Sequence, residues 1–325
     1  MFWQAESDIK RSQLGIAGMH AVHAPSNGQE LLKKAANPGA NFLFRLLLIP
    51  LQQGRFEGHK EVMQSEAGAM AGENSSADGG IRPADRLPRI DAVDLARGLA
   101  LIAMTTFHFG WDLELFGFAE RGFATQAWMI WYARVIASSF LVLVGISFAL
   151  AHQGGLKTRP FLWRLGKIAA AALLITIATR IATPNIFIFF GILHHIALAS
   201  VLCIFFVRLP VPLLVALAAA TLALALYGKS SFFDAPWWWW SGLNAFTPRS
   251  SDYVPVFPFF AAELAGLAIG KWLISSGTAD RLARWRPNGG IAAVLRFIGK
   301  NSLAYYLLHQ PVMLTILYLV QLVVG

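Results

Sequence analysis

Cysteine and charge are what this chain has least of. Cys203 is the one cysteine in 325 residues, so neither an internal disulfide nor a cysteine-based metal site can form. Charged residues make up 14% of the chain, against about 25% in a soluble domain. With 56% of the residues hydrophobic, roughly half the usual solvating surface is missing, which excludes an ordinary water-soluble globule. Acidic residues are the scarcer sign, 18 against 27 basic ones, for a net charge of +9. A basic excess gathered on one face would suggest nucleic acid. Here the basic residues are dealt between loops, and no nucleic-acid partner is expected. Several motifs are missing too. There is no G-x-x-x-x-G-K-[ST] to cradle phosphate and no G-x-G-x-x-G. A recognisable nucleophile elbow is absent. HExxH is absent as well, and His194 and His195 are adjacent rather than four apart, so no metal is expected.

Residues 1–89 differ in character from the rest, mixing Gly, Ser, Asn and charge as in GAMAGENSSADGG. Their one apolar run, 41–51, is too short for the about 20 residues that a bilayer requires. No secretory pattern is present. This stretch is expected to be mostly disordered or a mis-assigned N-terminal extension, with translation starting at Met63 or Met70. The second unit, 90–325, is expected to form a transmembrane domain.

From Leu95 onward apolar runs recur at membrane length: 95–116, 127–150, 164–181, 186–207, 211–228, 255–275 and 302–324. They do not alternate as barrel strands would, and lipid leaves no open backbone group satisfied, so helices are implied. The expected fold is all-α, a polytopic transmembrane bundle of about seven helices. Loop charge sets its orientation. With the N-terminus cytoplasmic, fourteen basic residues fall in inner segments, among them Arg164, Lys167 and Lys300, against three in outer ones, Arg121, Lys229 and Arg249. The basic balance is then a topology signal, and the partner it implies is the bilayer of the inner cell membrane. Trp237, Trp238, Trp239 and Trp240 suit an interfacial belt, with stacking on a substrate as the other reading.

Ionisable groups inside spanning helices are costly and point to function. Arg97, His108, Arg134, Arg180, His194, His195, Glu263 and His309 qualify. At a rise of about 1.5 Å per residue, Arg134, His194, His195 and Glu263 reach a similar depth with His108, which implies a polar chamber in the outer half; His309 falls nearer the cytoplasmic side. Arg97 and His108 share one face of their helix, about 16 Å apart. That separation suits a cationic grip on phosphates and a base deeper in, with a thin extended chain between them. Plainer readings stand beside these. Arg97 can pair with Asp94 across one turn, Asp91 can cap the helix, and Glu263 can pair with Arg134. His309 can fill the backbone gap left by Pro311.

Four blocks, RIDAVDLARGLALIAMTTFHFGWDL, FFGILHHIALAS, SDYVPVFPFFAAELAGLAIGK and GKNSLAYYLLHQPVM, resemble the bacterial membrane proteins grouped with the catalytic domain of heparan-alpha-glucosaminide N-acetyltransferase. The resemblance spans about residues 86–324. Arg97, ten residues and His108 also resemble the signature of the acyltransferase-3 proteins, which acylate surface sugars. In the animal enzyme an Asn is expected where His108 stands, with a His shortly downstream; none lies between Gly110 and Tyr132 here. Where acyltransferase-3 proteins tend to carry Arg-x-x-Arg, this chain has Arg164 and Lys167. The resemblance implies acetyl transfer from cytoplasmic acetyl-CoA, the acyl donor, to the amine or hydroxyl of a glycan or amino sugar across the membrane. His108 would be the catalytic base or an acyl carrier and Arg97 its motif partner. Arg97, Arg164 and Lys167 would bind the donor's phosphates, as would the basic loop 281–296. Arg134, His194 or His195 would face the oxyanion, and Glu263 would orient His108 or the acceptor. Two rivals stay open, a proton-coupled small-molecule transporter and a nonenzymatic membrane subunit, and so does a homo-oligomer.

Overall fold

The structure, a computed structural model, describes residues 89–324. The expected N-terminal extension, its apolar run at 41–51, Arg82, Arg86 and the starts at Met63 and Met70 lie outside the described residues. Nine α-helices follow in order: α1 Asp91–Leu115, α2 Ala127–Ala151, α3 Thr158–Ala182, α4 Ile192–Phe206, α5 Val211–Tyr227, α6 Val256–Ser275, α7 Thr278–Arg284, α8 Gly290–Lys300 and α9 Ser302–Val324. No strand occurs among the described residues; one isolated bridge joins Ser230 and Asn244. Five helices, α1, α2, α3, α6 and α9, are long and apolar enough to cross a membrane. The apolar runs at 186–207 and 211–228 become α4 and α5, of 15 and 17 residues, shorter than a full span. All seven expected runs are helical, but by length the count of seven spans is not reached.

α6 is the most buried of the five long helices, and α9 and α3 the least. α3 exposes Leu173, Ile177 and Ile181, while α9 exposes Val312, Ile316, Leu319 and Val323. Such continuous apolar faces are what a lipid solvent tolerates and water does not. Association in lipid depends on close packing, and here glycine supplies it. A Cβ on Gly145 of α2 would run into the Glu263 carbonyl, and one on Gly266 of α6 into the Val142 carbonyl. α1 and α8 meet in the same way, with Gly98 against the Leu295 carbonyl and Gly299 against the Asp94 carbonyl. Phe148, Leu264, Leu267, Leu214 and Cys203 fill the space among α2, α4, α5 and α6; Leu141, Val144, Ile168 and Ile196 fill that among α2, α3 and α4.

The helix ends are satisfied by charges from elsewhere in the chain. Glu114 accepts the Gly122 and Ala124 amides, both at 2.7 Å, and so fixes the turn between α1 and α2. Lys271 donates to the Val207 and Leu209 carbonyls at 2.9 and 2.5 Å, closing the end of α4. Asp91, expected as a cap, is not one. Ile90 holds the cap position without a side-chain bond, and Asp91 opens the helix with its carboxylate 2.8 Å from Arg296 and 3.2 Å from Arg286. A carboxylate in the first turn also meets the favourable end of the helix dipole, so two arginines and the dipole together draw it away from capping. Between α5 and α6 the tryptophans pack on aromatic neighbours: Trp239 lies 5.5 Å from the Phe189 ring and Trp238 lies 6.1 Å from Trp240. Tyr253 donates to the Trp239 carbonyl at 2.6 Å. Trp237 is 72% exposed, as an interfacial anchor would be.

Candidate active site

The bundle encloses a cavity of about 310 Å³. Arg97, Arg164, Lys167 and Lys300 line it, as do His108, Arg134, Asp252 and Tyr306, with apolar walls from Phe107, Phe140, Val144, Ile168 and Ile196 between them. Arg97 and His108 do share this wall, as their common helix face requires.

Arg97 is held firmly. Nη1 donates to Asp94 at 2.9 Å and toward the Gly299 carbonyl at 3.5 Å, while Nη2 donates to the Ser147 hydroxyl at 2.7 Å. The turn-spaced pairing with Asp94 is therefore formed. Asp94 also takes Arg89 through two of its guanidinium nitrogens, and that pairing raises the Arg89 pKa further above its ordinary value. The Lys167 ammonium lies over the Trp163 ring at 5.0 Å, and the Arg134 guanidinium lies over Trp131 at 5.1 Å. None of the four consecutive tryptophans lines the cavity.

His108 places its Nδ1 3.0 Å from the Met104 carbonyl, one turn back. A carbonyl only accepts, so Nδ1 carries the hydrogen and Nε2 keeps its lone pair. The His309 ring stands edge-on to it with centroids 5.0 Å apart. The expectation that His309 lies nearer the cytoplasmic side is overturned. The packing of α8 across α1 means that α9 starts well along α1: Tyr305 meets Thr105 at 2.9 Å, and the eighth residue of α9 faces the eighteenth of α1. His309 Nδ1 donates at 2.7 Å to the Tyr306 carbonyl, not to the Leu307 carbonyl that Pro311 leaves without its helical donor. Its Nε2 is buried without a hydrogen-bond partner. One residue on, Gln310 donates to Asp112 Oδ1 at 2.7 Å, and the buried Gln310 Oε1 and Asp112 Oδ2 also lack partners.

The remaining expected residues lie off the cavity lining. Both nitrogens of His194 are occupied: Nδ1 accepts the Gly191 amide at 3.2 Å and Nε2 donates to the Thr176 hydroxyl at 3.0 Å, so this side chain fastens the start of α4 to α3. His195 is fully buried, donates from Nδ1 to the Val254 carbonyl at 3.2 Å, and turns Nε2 toward Glu263 Oε2 3.9 Å away. Glu263 is likewise fully buried, with the Cys203 thiol 3.7 Å from Oε1. The expected Glu263–Arg134 pairing is replaced by this one: α6 packs its buried face on α4, and the carboxyl finds His195 and Cys203 there. Arg180 lies over the Phe187 ring at 5.3 Å, away from the cavity.

Asp252 is the lining residue that sequence reasoning missed. Its Oδ2 accepts the Ile192 amide at 3.1 Å and the Tyr306 hydroxyl at 3.3 Å. Burial raises its carboxyl above the ordinary value, while those two donors pull it back. It precedes α6 and belongs to no apolar run, so a search for ionisable groups inside such runs passes over it. The signal was an acid in SSDYVPVFP, on the approach to an apolar run.

A family model for heparan-alpha-glucosaminide N-acetyltransferase, catalytic, matches residues 89–311. The chain belongs to that family. Neither the curated proteins nor the solved structures give a match. The match runs through α1 to the middle of α9, so every lining residue named above lies inside it. With its lipid-compatible helices, this member of the N-acetyltransferase family is a multi-pass membrane protein of acyltransferase type.

Proposed function

We propose that this protein moves an acetyl group from acetyl-CoA to the amine or hydroxyl of a sugar on the opposite side of the membrane. The observation that carries the reading is the single cavity on which Arg97, Arg164, Lys167 and Lys300 share a wall with His108. A cavity of about 310 Å³ falls within the about 300–1,000 Å³ of small-molecule sites. The donor's phosphates bind at the basic residues, which the charge bias of the loops assigns to the cytoplasmic side of the cell membrane. The thin pantetheine arm lies along the apolar wall, and the thioester reaches His108.

His108 Nε2 takes the proton from the acceptor as the acceptor attacks the thioester carbonyl. Its fixed Nδ1–H bond to Met104 holds the lone pair in place, a role worth about 10²–10⁴ in rate. Arg134 faces the oxyanion that forms. Glu263, His194 and His195 act through packing and touch no reacting atom. A covalent acetyl-His108 carrier is the longer route at the same residue, and direct transfer needs fewer steps.

The experiment is a calorimetric titration of the detergent-purified protein with acetyl-CoA. Saturable binding that weakens by about 10-fold or more in Arg164→Ala and Lys167→Ala supports the reading, since hydrogen bonds to charged groups contribute about 1.5–3 kcal/mol each. A folded wild type that does not bind acetyl-CoA at millimolar concentration refutes it. A second reading, proton-coupled transport of a small molecule, is favoured by one observation: the partnerless buried atoms of His309, Gln310 and Asp112 run on from His108 along α1 and α9. Proton uptake by protein-loaded vesicles, coupled to solute and independent of acetyl-CoA, would establish it.

A further inference from the structure

Residues 281–296 carry four arginines, and none of these residues lines the cavity, so this loop stands apart from the place assigned to the donor. Two of the four are spent inside the protein. Arg286 and Arg296 converge on Asp91 Oδ2 at 3.2 and 2.8 Å, which brings the chain after α7 and the second half of α8 to one point at the start of α1. The other two, Arg281 and Arg284, share one face of α7, whose opposite face seats Ala279 and Ala283 on Ile90. Both are exposed, and among the described residues neither side chain makes a hydrogen bond or an ion pair, with Asp280 or any other acid. An apolar surface adjoins them. Trp285 is exposed, and α8 turns Ile291, Val294 and Phe297 outward at three-residue spacing, Ile291 being 82% and Phe297 69% exposed, while Leu295 and Gly299 on its other side press on α1. At 11 residues α8 is about half the length that a span requires, so its exposed stripe is not the wall of a crossing helix. Trp163 in the second turn of α3 and Trp272 near the end of α6 are exposed as well, on the side that loop charge assigns to the cytoplasm. A pair of arginines beside a tryptophan and an apolar stripe matches a lipid surface in cross-section: phosphate, boundary and acyl chain.

We propose that α7 and α8 form a binding site for an anionic phospholipid of the cytoplasmic leaflet. Arg281 and Arg284 take the headgroup phosphate, Trp285 sits at the boundary, and Ile291, Val294 and Phe297 lie against the acyl chains. Charge complementarity selects this occupant. The cytoplasmic leaflet is the one that carries anionic lipid, a zwitterionic headgroup brings a cation of its own toward the two arginines, and a soluble phosphate leaves the apolar stripe uncovered. The position also matters to the cavity. The far end of α8 reaches it, with Lys300 in the lining and the Gly299 carbonyl 3.5 Å from Arg97 Nη1. Lipid held on the outward face therefore steadies the helix whose inward end completes the basic part of the cavity. The site is independent of the acyltransferase reading, because it holds lipid whichever solute the cavity takes.

The test is native mass spectrometry of the full chain, released from detergent micelles that hold equal amounts of phosphatidylglycerol and phosphatidylcholine. Wild type is expected to retain phosphatidylglycerol in preference by at least about 10-fold, the scale of two basic groups at an anionic headgroup. The double variant Arg281→Ala with Arg284→Ala changes only exposed side chains, so it is expected to melt near the wild-type temperature and to lose most of the preference. Arg281→Lys with Arg284→Lys keeps the charge and is expected to keep the preference. Lys157→Ala with Arg159→Ala removes the same charge from exposed positions at the start of α3 and is expected to leave the preference intact. Equal retention of the two lipids by wild type overturns the proposal, and so does an undiminished preference in the Arg281→Ala, Arg284→Ala protein. A loss of the same size in Lys157→Ala, Arg159→Ala overturns it too, because the attraction is then diffuse and not a site. Displacement of phosphatidylglycerol by millimolar glycerol 3-phosphate identifies a soluble phosphate as the occupant, and a dimer mass that disappears in the Arg281→Ala, Arg284→Ala protein identifies a second copy of the chain; either result refutes the lipid assignment.

Discussion

Two groups of ionisable side chains sit inside this apolar bundle under opposite conditions. Where α4 meets α6, His195 and Glu263 are fully buried against each other and against Cys203, with no opening to the cavity. Where α1 meets α9, His108 and His309 stand ring to ring, and His108 lies on the cavity wall with a free lone pair. By sequence the two groups are alike: histidines and acids within apolar runs, each at a cost that demands explanation. In the first, His195 Nε2 and Glu263 Oε2 lie 3.9 Å apart, buried without a hydrogen-bond partner and shut in by helix packing. In the second, His108 faces a space that a ligand can enter, with the His309 ring packed against it. Access to a shared cavity, not burial in a membrane helix, distinguishes machinery from packing.

The largest effect is expected on the closed side. Gly266→Leu drives a side chain into the Val142 backbone, which has no flexible end to move aside. The cost should exceed the about 1–3 kcal/mol of ordinary overpacking, and monodisperse protein should be lost in size-exclusion chromatography. Folded, stable Gly266→Leu protein would break the assignment of α2–α6 as the rigid half. A smaller effect belongs to the open side. His309→Phe keeps a ring against His108 and Tyr305 but removes both nitrogens, so the initial rate of labelled acetyl transfer should fall about 3- to 10-fold, the scale of one net hydrogen bond, with unchanged donor affinity. The smallest is Glu263→Gln, which preserves volume and an oxygen for Cys203. Transfer should stay within about 3-fold of wild type and any change should appear in thermal stability, as for a buried pair that serves packing. If Glu263→Gln abolished transfer in a protein that still melted normally, the division between the two regions would fail.

The helices were legible because hydrophobic run length reports them directly: each of the seven runs is found as a helix, and the family match covers most of them. Arg97, His108, Arg164 and Lys167 were legible for a related reason, since spacing on one helix and charge at helix ends both survive projection onto a line. What sequence could not provide was the start of α9. Depth counted from the ends of an apolar run assumes that every helix begins at the membrane face, and the packing of α8 on α1 through Gly98 and Gly299 breaks that assumption for His309. Pairing was equally hidden, because nothing in the order of residues says whether Glu263 meets Arg134 or His195. Asp252 escaped because it sits outside every run, on a segment whose position is set by Ile192 and Tyr306 from distant parts of the chain.

The most direct test is single-turnover transfer of labelled acetyl from acetyl-CoA to glucosamine, measured on wild type and His108→Ala with donor affinity determined on the same samples. Loss of about 10²–10⁴ in rate, the worth of a positioned general base, with acetyl-CoA bound as in wild type, is the expected result. Transfer at the wild-type rate by His108→Ala would contradict the assignment of the cavity as the place where the acyl group moves.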